Sequence, residues 1–193
     1  LIGVPIYGLL NILGITFTAT PGLAVWLLKF FLGLVPGAIA LIFAYKIANE
    51  FNLKKHAKLL FSLVYGFCTF IFAYSTDFNN HLITAFFITI AVYLLLVIKR
   101  KNTEKNWLLL GFVTAFAATI DVVVGGLFGI FILFRLAIHS LKDKTLKYIV
   151  FFFFGALLPA STHIAGTYPV TGNLFHGAMH PEYWQYEGSD FSK

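Results

Sequence analysis

Long apolar runs separated by short polar breaks set the layout of this chain. Residues 1–17 are apolar but interrupted by Gly3, Pro5, Gly8, Asn11 and Gly14, which suits either a span or a helix lying along a membrane surface. Thr18-Ala19-Thr20-Pro21 then predicts a helix start, with Thr20 as N-cap and Pro21 at the first helical position. The span that follows covers 22–46, with a bend expected at Pro36. Further spans are predicted over 57–74 and 82–98. From Trp107 to His139 the chain is apolar again, interrupted near its middle by Asp121 and carrying Arg135 close to its far end. One straight helix over that stretch would be about 50 Å long, too long for a hydrocarbon core of roughly 30 Å. Two antiparallel helices, 107–120 and 122–139, fit better, with Asp121 capping the second at its positive end. A last span covers 146–165 and contains Pro159, with Ser161 and Thr162 placed to satisfy freed backbone groups.

The pattern therefore predicts an all-α, polytopic helical membrane protein with six clear spans, 1–17 being the candidate seventh. Residues 1–165 form the transmembrane domain. From Gly166 the character becomes polar, turn-rich and aromatic, so 166–193 is expected to be an external loop or the start of an extracytoplasmic segment.

Composition agrees. The 193 residues are 59% hydrophobic and 11% charged, against roughly 25% charged in an ordinary soluble domain. Eleven of the fourteen Lys and Arg lie in the loops 46–58, 99–105 and 142–147, which alternating spans place on one side. The turns at 76–81 and 121, with the tail, share the other side and hold only Lys193. The positive-inside rule then makes the basic loops cytoplasmic and puts 76–81 and 166–193 outside. The net charge of +6 is thus a topology signal and implies no nucleic-acid partner. Cys68 is the single cysteine, so no disulfide forms within the chain. The sequence opens at Leu1 in the middle of an apolar pattern, as expected of part of a longer protein.

Ionisable groups inside such a pattern are scarce and point to function. Tyr74-Ser75-Thr76-Asp77-Phe78-Asn79-Asn80-His81 is a polar knot between two spans. Asp77 with His81 could hold a divalent metal, a carboxylate and an imidazole being ordinary ligands, and a metal would neutralise a phosphate leaving group. The plain alternative is an interfacial turn in which Asn80 caps the next helix. Asp121 is either a simple N-cap or a carboxylate in a shallow membrane pocket that binds a cation or an acceptor hydroxyl, or takes a proton at a raised pKa. Lys29 lies about two turns into its helix, where it either snorkels outward or meets a lipid phosphate. Arg135 and His139 suit interface anchors. His176 and His180 have the spacing that puts two imidazoles on one helix face, a second candidate metal pair, but Gly177 between them and Pro181 after them disfavour a helix. Tyr183, Trp184 and Tyr186 suit an aromatic belt or rings stacking on sugars. No Walker loop, zinc-protease motif, haem motif or nucleophile elbow occurs.

Three stretches carry a resemblance. Gly66-Phe67-Cys68-Thr69-Phe70-Ile71-Phe72-Ala73-Tyr74-Ser75-Thr76, leading into 77–81, resembles the third and fourth helices of integral-membrane GT-C glycosyltransferases and their tight external turn. Asn106-Trp107-Leu108-Leu109-Leu110-Gly111 through Ala118 is similar to the W-x-x-L-G-x-x-x-G-x-A fifth helix of that superfamily. Tyr168-Pro169-Val170-Thr171-Gly172-Asn173, followed by His180-Pro181-Glu182-Tyr183-Trp184, looks like an external loop of some bacterial members. The relatives in view are the protein O-mannosyltransferases and lipid A aminoarabinose transferases.

The resemblance implies a GT-C-like bundle in the inner membrane of a prokaryote, covering helices two to seven. It implies inverting transfer of a sugar from a polyprenyl-phosphate donor to an acceptor at the external face. The catalytic acidic residue of such enzymes lies on the first external loop, expected upstream of Leu1. Asp77 matches the place of a second acidic group that assists a metal or the donor phosphate, with His81, Asn80 and Lys29 beside it. Many relatives carry Lys or Arg where Asp121 stands. The partners implied are the lipid-linked donor, membrane lipids, and other subunits or the remainder of the same chain. Two other readings stay open: a non-catalytic membrane subunit, and a transporter with Asp121 as its buried ionisable site, for which an inverted repeat would be the sign.

Overall fold

The computed structural model describes residues 3–77, 79–143, 146–172 and 174. Among them every regular element is helical: α1 (Gly3–Ile12), α2 (Pro21–Lys29), a π-helical turn (Phe30–Leu34), α3 (Val35–Glu50), α4 (Lys55–Phe67), α5 (Phe70–Ser75), α6 (Asn80–Arg100), α7 (Glu104–Ile120), α8 (Val124–Asp143) and α9 (Lys147–Thr171). Four helices have the length and apolar character to cross a membrane: Pro21–Glu50, Asn80–Arg100, Val124–Lys142 and Lys147–Pro169.

Local chemistry explains where these helices start, widen and stop. Helix α2 begins at Pro21 as expected, but Thr20 caps it without a side-chain bond; its hydroxyl donates backward to the Thr16 carbonyl at 3.4 Å. Pro36 cannot donate to the carbonyl four residues earlier, and its ring crowds that oxygen. The chain answers with one widened turn rather than a simple bend. Phe30–Leu34 is π-helical, and the Val35 amide reaches back to the Phe30 carbonyl. Helix α9 continues through Pro159 and Pro169 to Thr171, beyond the boundary expected at 165. It ends where Gly172 takes φ +65° and donates its amide to the Tyr168 carbonyl at 2.8 Å, a left-handed cap that glycine adopts without a Cβ penalty.

One expected span is broken and another, expected to be short, is short. The stretch 57–74 is broken at Cys68 and Thr69 into α4, of 13 residues, and α5, of 6. Thr69 accepts the Ile71 amide at 3.3 Å and donates to the Tyr65 carbonyl, so its hydroxyl competes for the backbone and restarts the helix. Helix α7 has 17 residues, about 25 Å at 1.5 Å per residue. Helix α1 has 10 described residues, within the stretch expected to be either a span or a helix along the membrane surface.

Helix α7 is the centre of the bundle, flanked by α6, α8 and α9, while α3 packs on the far side of α6 and α4 packs against α3. Its crossing with α9 is backbone to backbone. A Cβ on Gly111 would sit 1.9 Å from the Phe152 carbonyl oxygen, and one on Gly155 1.9 Å from that of Leu108. Small residues let membrane helices approach this closely and gain dispersion contacts. Around the crossing Leu94, Trp107, Leu110, Val113, Ile132, Leu136 and Phe152 form the buried core. Gly125 performs the same service for α8, where a Cβ would meet the Ala117 oxygen at 2.0 Å.

The basic loops gather at one end. Arg100 pairs with Glu50 at 3.2 Å, Lys147 pairs with Glu104, and Asn102 bonds His139 at 3.1 Å. The turns after α5 and α7 lie at the opposite end of α6, α7 and α8.

Replacing Gly155 or Gly111 by alanine forces a Cβ into backbone that cannot rotate away, an overpacking that costs about 1–3 kcal/mol. Thermal unfolding in detergent is expected to show a lower midpoint for each. Gly126, with nothing within 4 Å of its Cβ position, is the control, and Gly126→Ala is expected to leave the midpoint unchanged or higher.

Candidate functional site

The end away from the basic loops holds an ion pair and a carboxylate–histidine hydrogen bond built from residues far apart in sequence. Lys29 Nζ lies 3.7 Å from Asp77 Oδ1. His81 Nδ1 lies 2.5 Å from Asp121 Oδ2. Four elements converge to make them: the end of α2, the α5–α6 turn, the first turn of α6 and the α7–α8 turn.

The π-helical turn sets the first pair. Gly33 lies so close to the end of α5 that a Cβ would stand 2.4 Å from the Ser75 oxygen. That contact brings the last residue of α2, Lys29, to the level of Asp77. Single π-helical turns inside α-helices recur at functional sites. Both side chains are accessible, Asp77 at 71%, so the pair is worth at most about 1 kcal/mol and can exchange partners at little cost. Lys29 lies eight residues along from Pro21, roughly 12 Å at 1.5 Å per residue, so α2 extends well past the level of the pair.

The second pair is more tightly built. Asp121 is the N-cap expected of it: its Oδ1 accepts the Val123 amide at 3.1 Å and the Val124 amide at 3.0 Å. Its Oδ2 takes the His81 ring. Only 6% of this carboxylate is exposed, against 51% for the His81 side chain. Burial raises the Asp121 carboxyl, but the Val124 amide, the His81 ring and the Val123 amide outweigh it and hold the group below the ordinary carboxylate range. An ionised carboxylate only accepts, so Nδ1 of His81 carries the proton and Nε2 is left to face outward from the pair. Asn79, not Asn80, caps α6, its Oδ1 accepting the His81 amide at 2.7 Å. Asn80 instead donates its side-chain amide to the Ile120 carbonyl at 3.4 Å, tying the same two turns together. Tyr74 covers the imidazole with ring centroids 6.0 Å apart.

Asp77, His81, Asn80, Lys29 and Asp121 thus stand at one end, where the contacts seen run between elements rather than between Asp77 and His81. Asp77 goes to Lys29 and His81 to Asp121. Among the described residues no three His, Cys, Asp or Glu side chains gather as a metal group. The second candidate pair, His176 and His180, and the aromatic residues Tyr183, Trp184 and Tyr186 lie outside the described residues. Sequence reasoning missed the His81–Asp121 contact because the two are 40 positions apart and no local pattern links them.

No family model, curated protein or solved structure matches the chain.

A carboxylate whose folded pKa lies below its unfolded value of ~3.9 contributes stability that is complete above that value and lost as pH falls through the lower one. Asp121→Asn keeps the cap oxygen but removes the charge. At neutral pH the variant is expected to melt lower than wild type, and the gap is expected to close as pH is taken from about 5 towards the lower folded pKa. An equal gap at pH 7 and pH 3 would refute an ionised Asp121. Asp121→Ala, which also removes the cap, is expected to cost about 0.5–2 kcal/mol.

Proposed function

We propose that the chain is the donor-binding part of a membrane glycosyltransferase that moves a sugar from a polyprenyl-phosphate carrier to an acceptor hydroxyl. The observation that supports this reading is the convergence of a labile lysine pair and a buried-carboxylate–histidine pair on one end of a helical membrane bundle. A lipid-linked sugar phosphate needs both a cation for its phosphate and a group that takes the acceptor's proton.

In this reading Lys29 leaves Asp77 for the donor phosphate, a compact ammonium meeting a concentrated anion. The acceptor oxygen attacks the anomeric carbon as the bond from that carbon to the phosphate oxygen breaks, and the electron pair leaves with the carrier phosphate. The acceptor proton passes to His81 Nε2, which in this reading takes the part that the resemblance gives to an acidic residue upstream of Leu1. Asp121 holds the ring in the tautomer that presents this nitrogen and stabilises the imidazolium that forms, as in other carboxylate–histidine pairs. Such a base contributes about 10²–10⁴-fold to a rate. Asn80 positions the two turns. The external face is the side assigned to the site, because the basic loops lie at the other end and such loops favour the cytoplasm. The six-span GT-C-like bundle belongs to this proposal, with α4 and α5 together, and the short α7, each counted as a crossing. Were a divalent metal used, Asp77 would hold it, and it would supply charge neutralisation for the leaving phosphate in the place of Lys29.

The test is transfer of radiolabel from polyprenyl-phosphate sugars by the full protein in proteoliposomes. His81→Asn is expected to lower the rate about 100-fold or more with donor retention unchanged. Lys29→Gln is expected to weaken retention of polyprenyl phosphate itself. Full transfer by His81→Asn would remove the proton-transfer role, and unchanged carrier retention by Lys29→Gln would remove the donor site.

A further inference from the structure

At the opposite end, the bundle carries a half-open cavity of about 180 Å³ between α6, α7 and α8. We propose that it is a binding site for the phosphate of an anionic phospholipid headgroup. It is independent of the transfer reading: it uses other residues, and Lys99 lies 18 residues from His81 along α6, roughly 27 Å at 1.5 Å per residue.

The lining divides by chemistry. Lys99 of α6 and Arg135 of α8 supply two exposed cations, and among the described residues no Asp or Glu lines the space. Among the described residues the two glutamates at this end are turned elsewhere, Glu50 to Arg100 and Glu104 to Lys147. An arginine and a lysine across one cavity select an anion, and the planar guanidinium fits two phosphate oxygens at once.

The back wall is fixed by a hydrogen-bonded chain. The Trp107 indole only donates, and it donates to Asn102 Oδ1 at 2.8 Å. That orients the Asn102 NH₂ towards His139 Nε2, 3.1 Å away. The Trp107 ring also lies against His139 and Tyr148, with centroids 5.1 and 5.7 Å apart. The site is therefore a preformed polar wall rather than two loose surface charges. Its remaining face, Leu95 and Ile98, is apolar and points back along α6 towards the membrane interior. A soluble anion has no use for that face, whereas the glycerol and first acyl carbons of a phospholipid do. The volume is several times the ~30 Å³ share of one water. Basic pockets between membrane helices bind acidic headgroups in this way.

The experiment follows thermal unfolding of the full protein in detergent while phosphatidylglycerol, phosphatidylcholine or inorganic phosphate is added, with native mass spectrometry counting retained lipid. Phosphatidylglycerol is expected to raise the midpoint by several degrees and to be retained; the other two are expected to do neither. Arg135→Gln combined with Lys99→Gln is expected to abolish both effects, and Lys55→Gln, an exposed lysine on α4 outside the cavity, to preserve them. Equal effects of phosphatidylcholine, or their survival in the double variant, would overturn the proposal. So would their loss in Lys55→Gln, which would mean general charge attraction. A shift with inorganic phosphate alone would assign the cavity to a soluble anion and overturn the lipid part.

Discussion

The backbone-to-backbone crossing of α7 and α9 is the contact from which the remaining geometry follows. Two glycines, Gly111 and Gly155, face the carbonyls of Phe152 and Leu108 at a separation that leaves no room for a Cβ. In lipid the hydrophobic effect does not hold helices together, so close approach and its dispersion contacts have to. Once α7 is seated there, α6 and α8 pack on its other sides, and both of its ends become anchor points. One end carries Asp121. The other carries Trp107, 2% exposed, whose indole fixes Asn102.

Each end of α7 is consequently a place where polar groups are held rigid by apolar packing. At the Asp121 end, Gly125 lets α8 start against the Ala117 carbonyl, so the turn is tight and its two amides converge on one carboxylate oxygen. The second oxygen is left to reach His81 on α6. A looser hairpin would leave Asp121 in solvent, where it could neither orient an imidazole nor resist protonation. At the Trp107 end the constraint runs the same way: a buried indole must find an acceptor, and Asn102 provides it.

The Lys29–Asp77 pair depends on a different device. Pro36 displaces a hydrogen bond, the turn before it widens, and the widened turn lies against α5 at Gly33 and Ser75. A proline thus acts at a distance of seven residues on the position of a cation. The pair is exposed and weak, which suits a group that has to change partners, whereas the His81–Asp121 pair is half-buried and suits a group that has to hold an orientation.

Much of the fold was legible in the chain because membrane helices are a one-dimensional signal. The apolar runs located four long helices and the turn at Asp121, and Thr20-Pro21 located the start of α2 to the residue. The distribution of Lys and Arg grouped the loops that the structure brings to one end. What composition could not show is where a run is interrupted by hydrogen bonding rather than by polarity: Thr69 breaks 57–74 with a hydroxyl that a hydropathy pattern scores as neutral, and Pro159 and Pro169 fail to stop α9. The candidate residues themselves, Lys29, Asp77, Asn80, His81 and Asp121, were identifiable because charge and amides are rare in such a chain. Their pairing was not. Neighbours in sequence suggested Asp77 with His81, but the partners are Lys29 and Asp121, since helix packing, not chain proximity, decides which side chains meet across 40 or more positions. Sequence determined which groups lie at which end of the bundle, and tertiary packing alone decided which of them touch.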